Sequence, residues 1–171
     1  MNAAKSIVLI GMMGAGKSSV GRCLQRRTGL ARLDTDEMVA RQFGVSIPEI
    51  FETHGEQKFR DAETETLGKL APDRPAIIVT GGGIVLRPDN VELLKRLGTI
   101  VWLNADEATL FERASRRNDR PLLQNENPRT AFSELLRKRL PLYRSAANLK
   151  IDTALMSHDD VAETILNKLE G

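Results

Sequence analysis

Eight consecutive residues carry the most specific chemical signal in the chain. Gly11-Met12-Met13-Gly14-Ala15-Gly16-Lys17-Ser18 fits the pattern G-x-x-x-x-G-K-[ST] throughout. Glycines in this pattern let the backbone curl until successive amide N–H groups converge on phosphate oxygens. A helix starting at Lys17 aims its positive dipole end at the same point. Lys17 has the reach to meet β- and γ-phosphates, and the Ser18 hydroxyl is a suitable magnesium ligand. The pattern therefore predicts a nucleoside triphosphate site built from Gly14, Ala15, Gly16, Lys17, Ser18 and Ser19. It leaves the fate of the terminal phosphate open. A guanine switch is unsupported: the chain has no Asp-x-x-Gly, and its one Asn-Lys pair, Asn167-Lys168, runs into Leu169-Glu170.

Leu33-Asp34-Thr35-Asp36 brings two carboxylates to what reads as the end of a strand. Ligands of open α/β sheets bind at that edge. In an extended chain Asp34 and Asp36 point in opposite directions and meet different partners. One joins a magnesium shell; the other accepts a hydrogen bond from a substrate hydroxyl. The competing reading is a plain helix N-cap from Thr35 or Asp36. Cations are concentrated further along. From Glu112 to Arg144, nine basic residues face four acidic ones, net +5, while the rest of the chain carries −3. Such a segment suits an anionic small molecule or phosphates; the plainer reading is solvated helix faces.

Bringing these groups together takes a frame, and the hydrophobic pattern supplies one. Ser6–Ile10 reads as a buried strand that ends at Gly11, and Lys17–Arg27 as a helix closed by Gly29. Ala31–Leu33 is a short second strand, and Asp36–Phe43 a helix stopped by Gly44. Ser46-Ile47-Pro48-Glu49 is a capping-box start, with an amphipathic helix from about Glu56 to the prolines at 72 and 75. Ala76–Thr80 and Thr99–Leu103 are further strands, separated by Gly81-Gly82-Gly83 and a helix from Pro88 to Leu97. Asp106–Ser115 is helical, Arg116–Pro128 a polar loop, and Thr130–Arg139 helical. A fifth strand, Leu149–Asp152, leads to a last helix capped at Ser157, with Val161, Ile165 and Leu169 on one face. Short continuous apolar strands between helices predict a parallel sheet covered on both sides.

The chain has 171 residues and a mass of 19.0 kDa. That is one domain, 1–171, able to bury roughly 70% of its unfolded surface. Lys+Arg is 25 against Asp+Glu 23, net +2. This excludes a strongly basic polyanion binder and an acidic solvating tail. Aromatic residues are only 4%, too few to build stacking platforms for single-stranded nucleic acid. The lone cysteine, Cys23, cannot form an internal disulfide and points to a reducing compartment. No apolar run approaches the ~20 residues of a membrane span, and Met1–Lys5 leads into a strand without a leader pattern. The expectation is a soluble cytoplasmic monomer.

The phosphate loop, Asp34-Thr35-Asp36, Phe51 and Gly55-Glu56-Gln57-Lys58-Phe59-Arg60-Asp61-Ala62-Glu63 are followed by Thr80-Gly81-Gly82-Gly83. Arg120-Pro121-Leu122-Leu123 and Arg139-Leu140-Pro141-Leu142-Tyr143 complete the series. In this order and spacing, over almost the whole chain, the set resembles the shikimate kinases. The resemblance implies an α/β, three-layer P-loop kinase fold of the nucleoside-monophosphate-kinase type. Its five-stranded parallel sheet has the order 2-3-1-4-5, is flanked by helices and carries a mobile lid. It also implies magnesium-dependent transfer of the ATP γ-phosphoryl to the 3-hydroxyl of shikimate, giving ADP and shikimate 3-phosphate. By that resemblance, residues 34–63 include the substrate-binding region, and 113–128 form the lid. Arg60 and Arg139 hold the carboxylate, Asp36 contacts and activates the hydroxyl, and Gly81, Gly82 and Gly83 let the backbone approach the acceptor. Phe51 and Phe59 wall the pocket, and Glu63 orients Arg60. Arg113 packs on adenine, Arg120 meets the transferring phosphoryl group with Lys17, and Ser18 and Asp34 face the metal. The segment 153–158 lacks the proline that relatives often carry, and His158 reads as a cap bystander.

Two alternatives stay open on the residues alone. Another small-molecule kinase of the same fold, for a sugar acid or a nucleotide, would also use Arg60 and Arg139. A nucleotide-binding regulator without transfer chemistry would keep the phosphate loop, but would have no use for Asp34, Asp36 and Arg120.

Overall fold

Ser6–Ile10 (β1) is buried at every position because it runs down the middle of a five-stranded sheet. The computed structural model describes residues 5–117 and 123–171. The remaining strands are Ala31–Asp34 (β2), Ala76–Val79 (β3), Gly98–Asn104 (β4) and Leu149–Asp152 (β5). Every pairing is parallel and the spatial order is β2-β3-β1-β4-β5. The helices are Lys17–Thr28 (α1), Thr35–Phe43 (α2), Ile47–Lys69 (α3), Pro88–Leu97 (α4), Glu107–Ser115 (α5), Pro128–Ala146 (α6) and His158–Glu170 (α7). A 3-10 turn, Ile84–Leu86, precedes α4. The main core joins β1, β3 and β4 with Val20, Leu24, Leu94, Phe132, Tyr143 and Ile165 from the helices; all of these side chains are fully buried. A smaller cluster of Val39, Ile50, Phe59 and Ala62 ties α2 to α3. Among the described residues no helix is long and apolar enough to cross a membrane.

Register decides what the sheet edge presents. Asp34 pairs with Val79, and Val79 with Leu9. The ends of β2, β3 and β1 are therefore level, and the three connections that leave them start side by side. Those connections are the Asp34–Asp36 turn, the glycine triplet and the phosphate loop.

Local chemistry sets most boundaries. Gly29 and Gly44 close α1 and α2 in the left-handed region, at φ 70° and 71°. Ser46 and Glu49 form the expected capping box, as do Ser157 and Asp160. Gly55 (φ 81°, ψ 166°) breaks α3 into the two helical stretches expected from its pattern. Three expectations change. First, α2 begins at Thr35, and its N-cap is Asp34 rather than Thr35 or Asp36. The Asp34 carboxylate accepts from the amides of Asp36 and Glu37, so the two aspartates do not alternate along a strand. Second, α6 does not stop at Arg139 but runs through Pro141 to Ala146. An interior proline loses an N–H and crowds the preceding turn. The buried stripe Phe132, Leu136, Arg139, Tyr143 and Ala146 spans the break and holds the helix together. Third, Leu169, one residue from the end of α7, is exposed, so the buried part of that face stops at Ile165.

Gly98 and Gly68 offer opposite tests of this packing. At Gly98 the backbone is extended, but an added Cβ would lie 1.9 Å from the Ser6 carbonyl oxygen. Gly98→Ala should cost about 2–3 kcal/mol, because strand backbone cannot yield. Gly68 sits near the exposed end of α3 with nothing within 4 Å. Gly68→Ala should stabilise by about 0.4–1 kcal/mol. Urea unfolding of both variants checks the pair.

Candidate active site

The phosphate loop is held open by backbone that only glycine adopts easily. Gly11, Gly14 and Gly16 sit at φ 148°, 86° and 90°. A Cβ at Gly11 would lie 2.5 Å from the Leu103 carbonyl oxygen, and one at Gly14 2.3 Å from that of Leu110. The loop thus lies directly on the end of β4 and on α5. At the start of α1, Gly16 provides no side-chain cap, and the first turn contains no acid. The amides and dipole of that end face the cavity without a built-in anion. The Lys17 ammonium donates to the carbonyls of Gly11 (2.7 Å) and Met12 (3.1 Å), curled over its own loop.

A cavity of about 930 Å³ opens above this loop. Gly14, Gly16, Lys17, Ser18 and Ser19 line it, together with Asp34, Asp36, Phe51, Phe59, Arg60, Gly81, Gly82, Gly83, Arg113 and Arg139. Ala15 does not; it is buried, and its amide donates to Met12 O at 3.1 Å. Phe51 and Phe59 stack at 5.0 Å between centroids, and the Arg60 guanidinium lies 5.1 Å from the Phe59 ring.

The glycine triplet is the surface on which the charged side chains rest. A Cβ at Gly81 would lie 2.6 Å from Asp36 Oδ1 and 3.1 Å from Glu63 Oε1. One at Gly82 would meet Arg139 Nη1 at 3.1 Å, and one at Gly83 would overlap the Arg60 guanidinium. Arg60 is braced on its own helix by Glu63 (3.1 Å) and Glu56 (3.3 Å). Glu63 is fully buried, which pushes its carboxyl up to about 7; the nearby Asp36 adds to that rise, and Arg60 opposes it. Burial likewise raises Asp34, whose second oxygen lies 3.4 Å from Arg32. Arg139 differs. It is only 2% exposed, yet among the described residues it forms no ion pair, and its Nε finds no acceptor.

The shikimate kinase family model matches residues 13–170. The chain belongs to the shikimate kinase family. A shikimate kinase of Thermodesulfovibrio yellowstonii is 45% identical over 166 residues, covering 97% of this chain and 95% of the relative. The solved shikimate kinase of Acinetobacter baumannii in complex with shikimate superposes with a TM-score of 0.93 at 40% identity, covering 98% of this chain and 93% of that one. The Aquifex aeolicus shikimate kinase gives 0.83 at 35% identity, covering 97% and 96%. Membership makes the chain a P-loop kinase with the sheet order expected of one and closes both alternatives left by the residues alone.

Within this kinase, most of the residues singled out in the sequence do converge. Arg120 lies outside the described residues, as do Pro121 and Leu122 of its motif. Arg113 lines the cavity and is tied by its guanidinium to the hydroxyl and carbonyl of Thr153, at 3.1 and 3.2 Å. His158 is more than a cap bystander: its imidazole packs against Gly16 and lines the cavity. Burial, then Arg113 and Arg22, holds its pKa below the usual histidine range. Arg32 carries no motif signal in the sequence, though it pairs with both Asp34 and Glu37. Tyr143 joins the site from the same motif as Arg139; its spacing of four on one helix is the sequence signal for that. Cys23 is buried, and Trp102 is core.

Glu63 yields a pH test. Its carboxyl keeps a proton to higher pH in the folded chain than the ordinary 4.5. Its contribution to stability is therefore full below 4.5 and is lost as pH rises toward about 7. Glu63→Gln should gain stability relative to the parent across that window. Thermal melts from pH 4.5 to 8 should show the gap moving in that direction; a constant gap excludes it.

Proposed function

We propose that this cavity transfers the γ-phosphoryl of ATP to the 3-hydroxyl of shikimate, with Arg139 and Arg60 as the carboxylate receptor. The observation that carries the reading is the buried Arg139 guanidinium, which among the described residues forms no ion pair. A buried cation is costly unless something pairs with it. This one sits beside Gly82, in the cavity that holds Arg60. Shikimate is a small cyclohexene acid with one carboxylate and three hydroxyls. Its carboxylate supplies the ion pair that Arg139 lacks, and two guanidinium groups fix the ring's direction.

Asp36 rests against Gly81 and faces the cavity. In this reading its carboxylate accepts the 3-hydroxyl proton as that oxygen bonds to γ-phosphorus. The bond from γ-phosphorus to the bridging oxygen breaks, and ADP leaves. The amides of Gly14, Gly16, Lys17 and Ser18 and the Lys17 ammonium hold the phosphates, Ala15 bracing the loop through Met12, and Lys17 exchanges its two carbonyl acceptors for phosphate oxygens. Glu63 positions Arg60. Arg113 and His158 flank the nucleotide's path across Gly16, and Arg120 is assigned to the transferring group. Closure of the 113–128 segment would exclude water, the competing acceptor.

The donor set fits magnesium. Among the described residues no cluster of three acidic, histidine or cysteine side chains is present. Magnesium bound with a nucleotide needs few protein ligands, since phosphates and water complete its octahedron. The Ser18 hydroxyl and the Asp34 carboxylate both line the cavity and would hold it. When bound, it would neutralise negative charge on the phosphates during transfer. Asp34 spends one oxygen as an N-cap and pairs the other with Arg32 at 3.4 Å, a contact that oxygen would share with the ion or exchange for it.

ADP release should be measured with magnesium and ATP in parallel wells holding shikimate, gluconate, nucleoside monophosphates or no acceptor. Dependence on shikimate alone is expected. Asp36→Asn and Arg60→Ala should each lower turnover at least about 100-fold and leave ATP binding within about threefold. Near-normal turnover in both variants overturns the residue roles.

A further inference from the structure

Three glycines in a row make a poor floor for a rigid site, since each peptide between them rotates with little steric resistance. The Ile84 N–H closes the turn on the Gly81 carbonyl at 3.2 Å, but that bond does not decide which way the central Gly82–Gly83 peptide faces. The Tyr143 hydroxyl donates to the Gly82 carbonyl at 2.5 Å. That hydroxyl has a single proton, so the bond to Gly82 uses its only donor. The phenol is fully buried, and burial pushes its pKa up to about 12, so the proton is in place at any working pH. On the other side stands Arg139, one helical turn earlier on α6, whose Nη1 approaches Met12 Sδ at 3.9 Å. The Tyr143 hydroxyl oxygen itself lies 3.8 Å from Met12 Sδ and within reach of Arg139, so it sits between the proposed carboxylate receptor, the phosphate loop and the glycine turn.

The Gly82–Gly83 peptide is trans. In a planar trans peptide the carbonyl and the following N–H point in opposite directions. Pulling the Gly82 carbonyl inward to Tyr143 turns the Gly83 N–H away from the core. Among the described residues this N–H donates to no protein group, and Gly83 lines the cavity. If the peptide flipped, a carbonyl oxygen would replace an N–H at the cavity wall, beside the place where a carboxylate must sit.

We propose that Tyr143 is a positioning residue for the acceptor: its hydroxyl locks the Gly82–Gly83 peptide so that the turn presents N–H, not C=O, to the acid substrate. The inference rests on the shikimate reading of the cavity. It adds a determinant of acceptor affinity that touches neither substrate.

Tyr143→Phe removes one hydroxyl and keeps the ring in the core. The KM for shikimate should rise about 3- to 10-fold, the range one hydrogen bond supplies. Turnover should stay within twofold, and the KM for ATP should not change. An unchanged shikimate KM overturns the proposal. So does a parallel rise in both KM values, because general loosening would move the two together. A second readout needs no substitution, since Tyr143 is the only tyrosine in the chain. Biosynthetic 3-fluorotyrosine then gives one fluorine resonance. Saturating shikimate should shift it in the wild-type chain, and ATP alone should shift it less; no response to shikimate counts against the role. If the wild-type enzyme uses a different acid acceptor, the substrate reading fails. The split between that acceptor's KM and the ATP KM still judges Tyr143.

Discussion

Packing of four charged side chains onto three consecutive glycines is the constraint on which the site depends. Asp36, Glu63, Arg139 and Arg60 occupy the space that side chains at residues 81–83 would fill. A Cβ at Gly81 or Gly83 would displace a carboxylate or a guanidinium outright. Two acids and two arginines are thereby gathered around a single turn at the cavity wall. Like charges placed that close raise one another's cost, and opposite charges relieve it. Glu63 registers both effects, with burial and Asp36 on one side and Arg60 on the other.

The sheet makes that gathering possible. β1, β2 and β3 end level with one another, so the phosphate loop, the Asp34 turn and the glycine turn emerge at one edge. Asp34 shows how economically the edge is used. It ends β2, caps α2 through one oxygen and pairs with Arg32 through the other. Across the sheet, Gly11 and Gly14 rest on Leu103 and Leu110 carbonyls, which sets the height of the phosphate loop above β4 and α5. Donor and acceptor regions are thus fixed to one rigid platform, and positioning is where phosphoryl transfer gains most of its rate.

The energetic cost falls on the acceptor side. Among the described residues Arg139 is buried without an ion pair, and the Nε atoms of both Arg60 and Arg139 lack acceptors. A structure selected for stability alone would pair them or replace them with apolar groups. Leaving cationic capacity uncommitted instead favours an anion that arrives from solution. The aromatic pair Phe51 and Phe59 supplies an apolar wall beside it, a combination suited to a small ring bearing one carboxylate.

Much of this was legible in the chain itself. The phosphate loop, the capping boxes at Ser46 and Ser157, the glycine stops at 29 and 44, and the five apolar strands are local signals. Each depends on residues within a turn or two, and the structure keeps them. The order of motifs also identified the family. Other features depended on contacts between distant segments. Asp34 rather than Thr35 caps α2 because β2 extends one residue further when paired with β3. α6 survives Pro141 because five of its side chains, Tyr143 among them, are buried against the core, a gain no helix propensity contains. His158 reaches the cavity only because α1 and α7 pack together, and Tyr143 holds Gly82 only because α6 crosses the end of the sheet. Sequence determined which chemical groups this protein carries and the elements that bear them, since propensities and caps act over a few residues. Which of those groups share one cavity, and which lose their solvent and so their ordinary charge behaviour, was decided by the tertiary fold, because burial and electrostatics act through space.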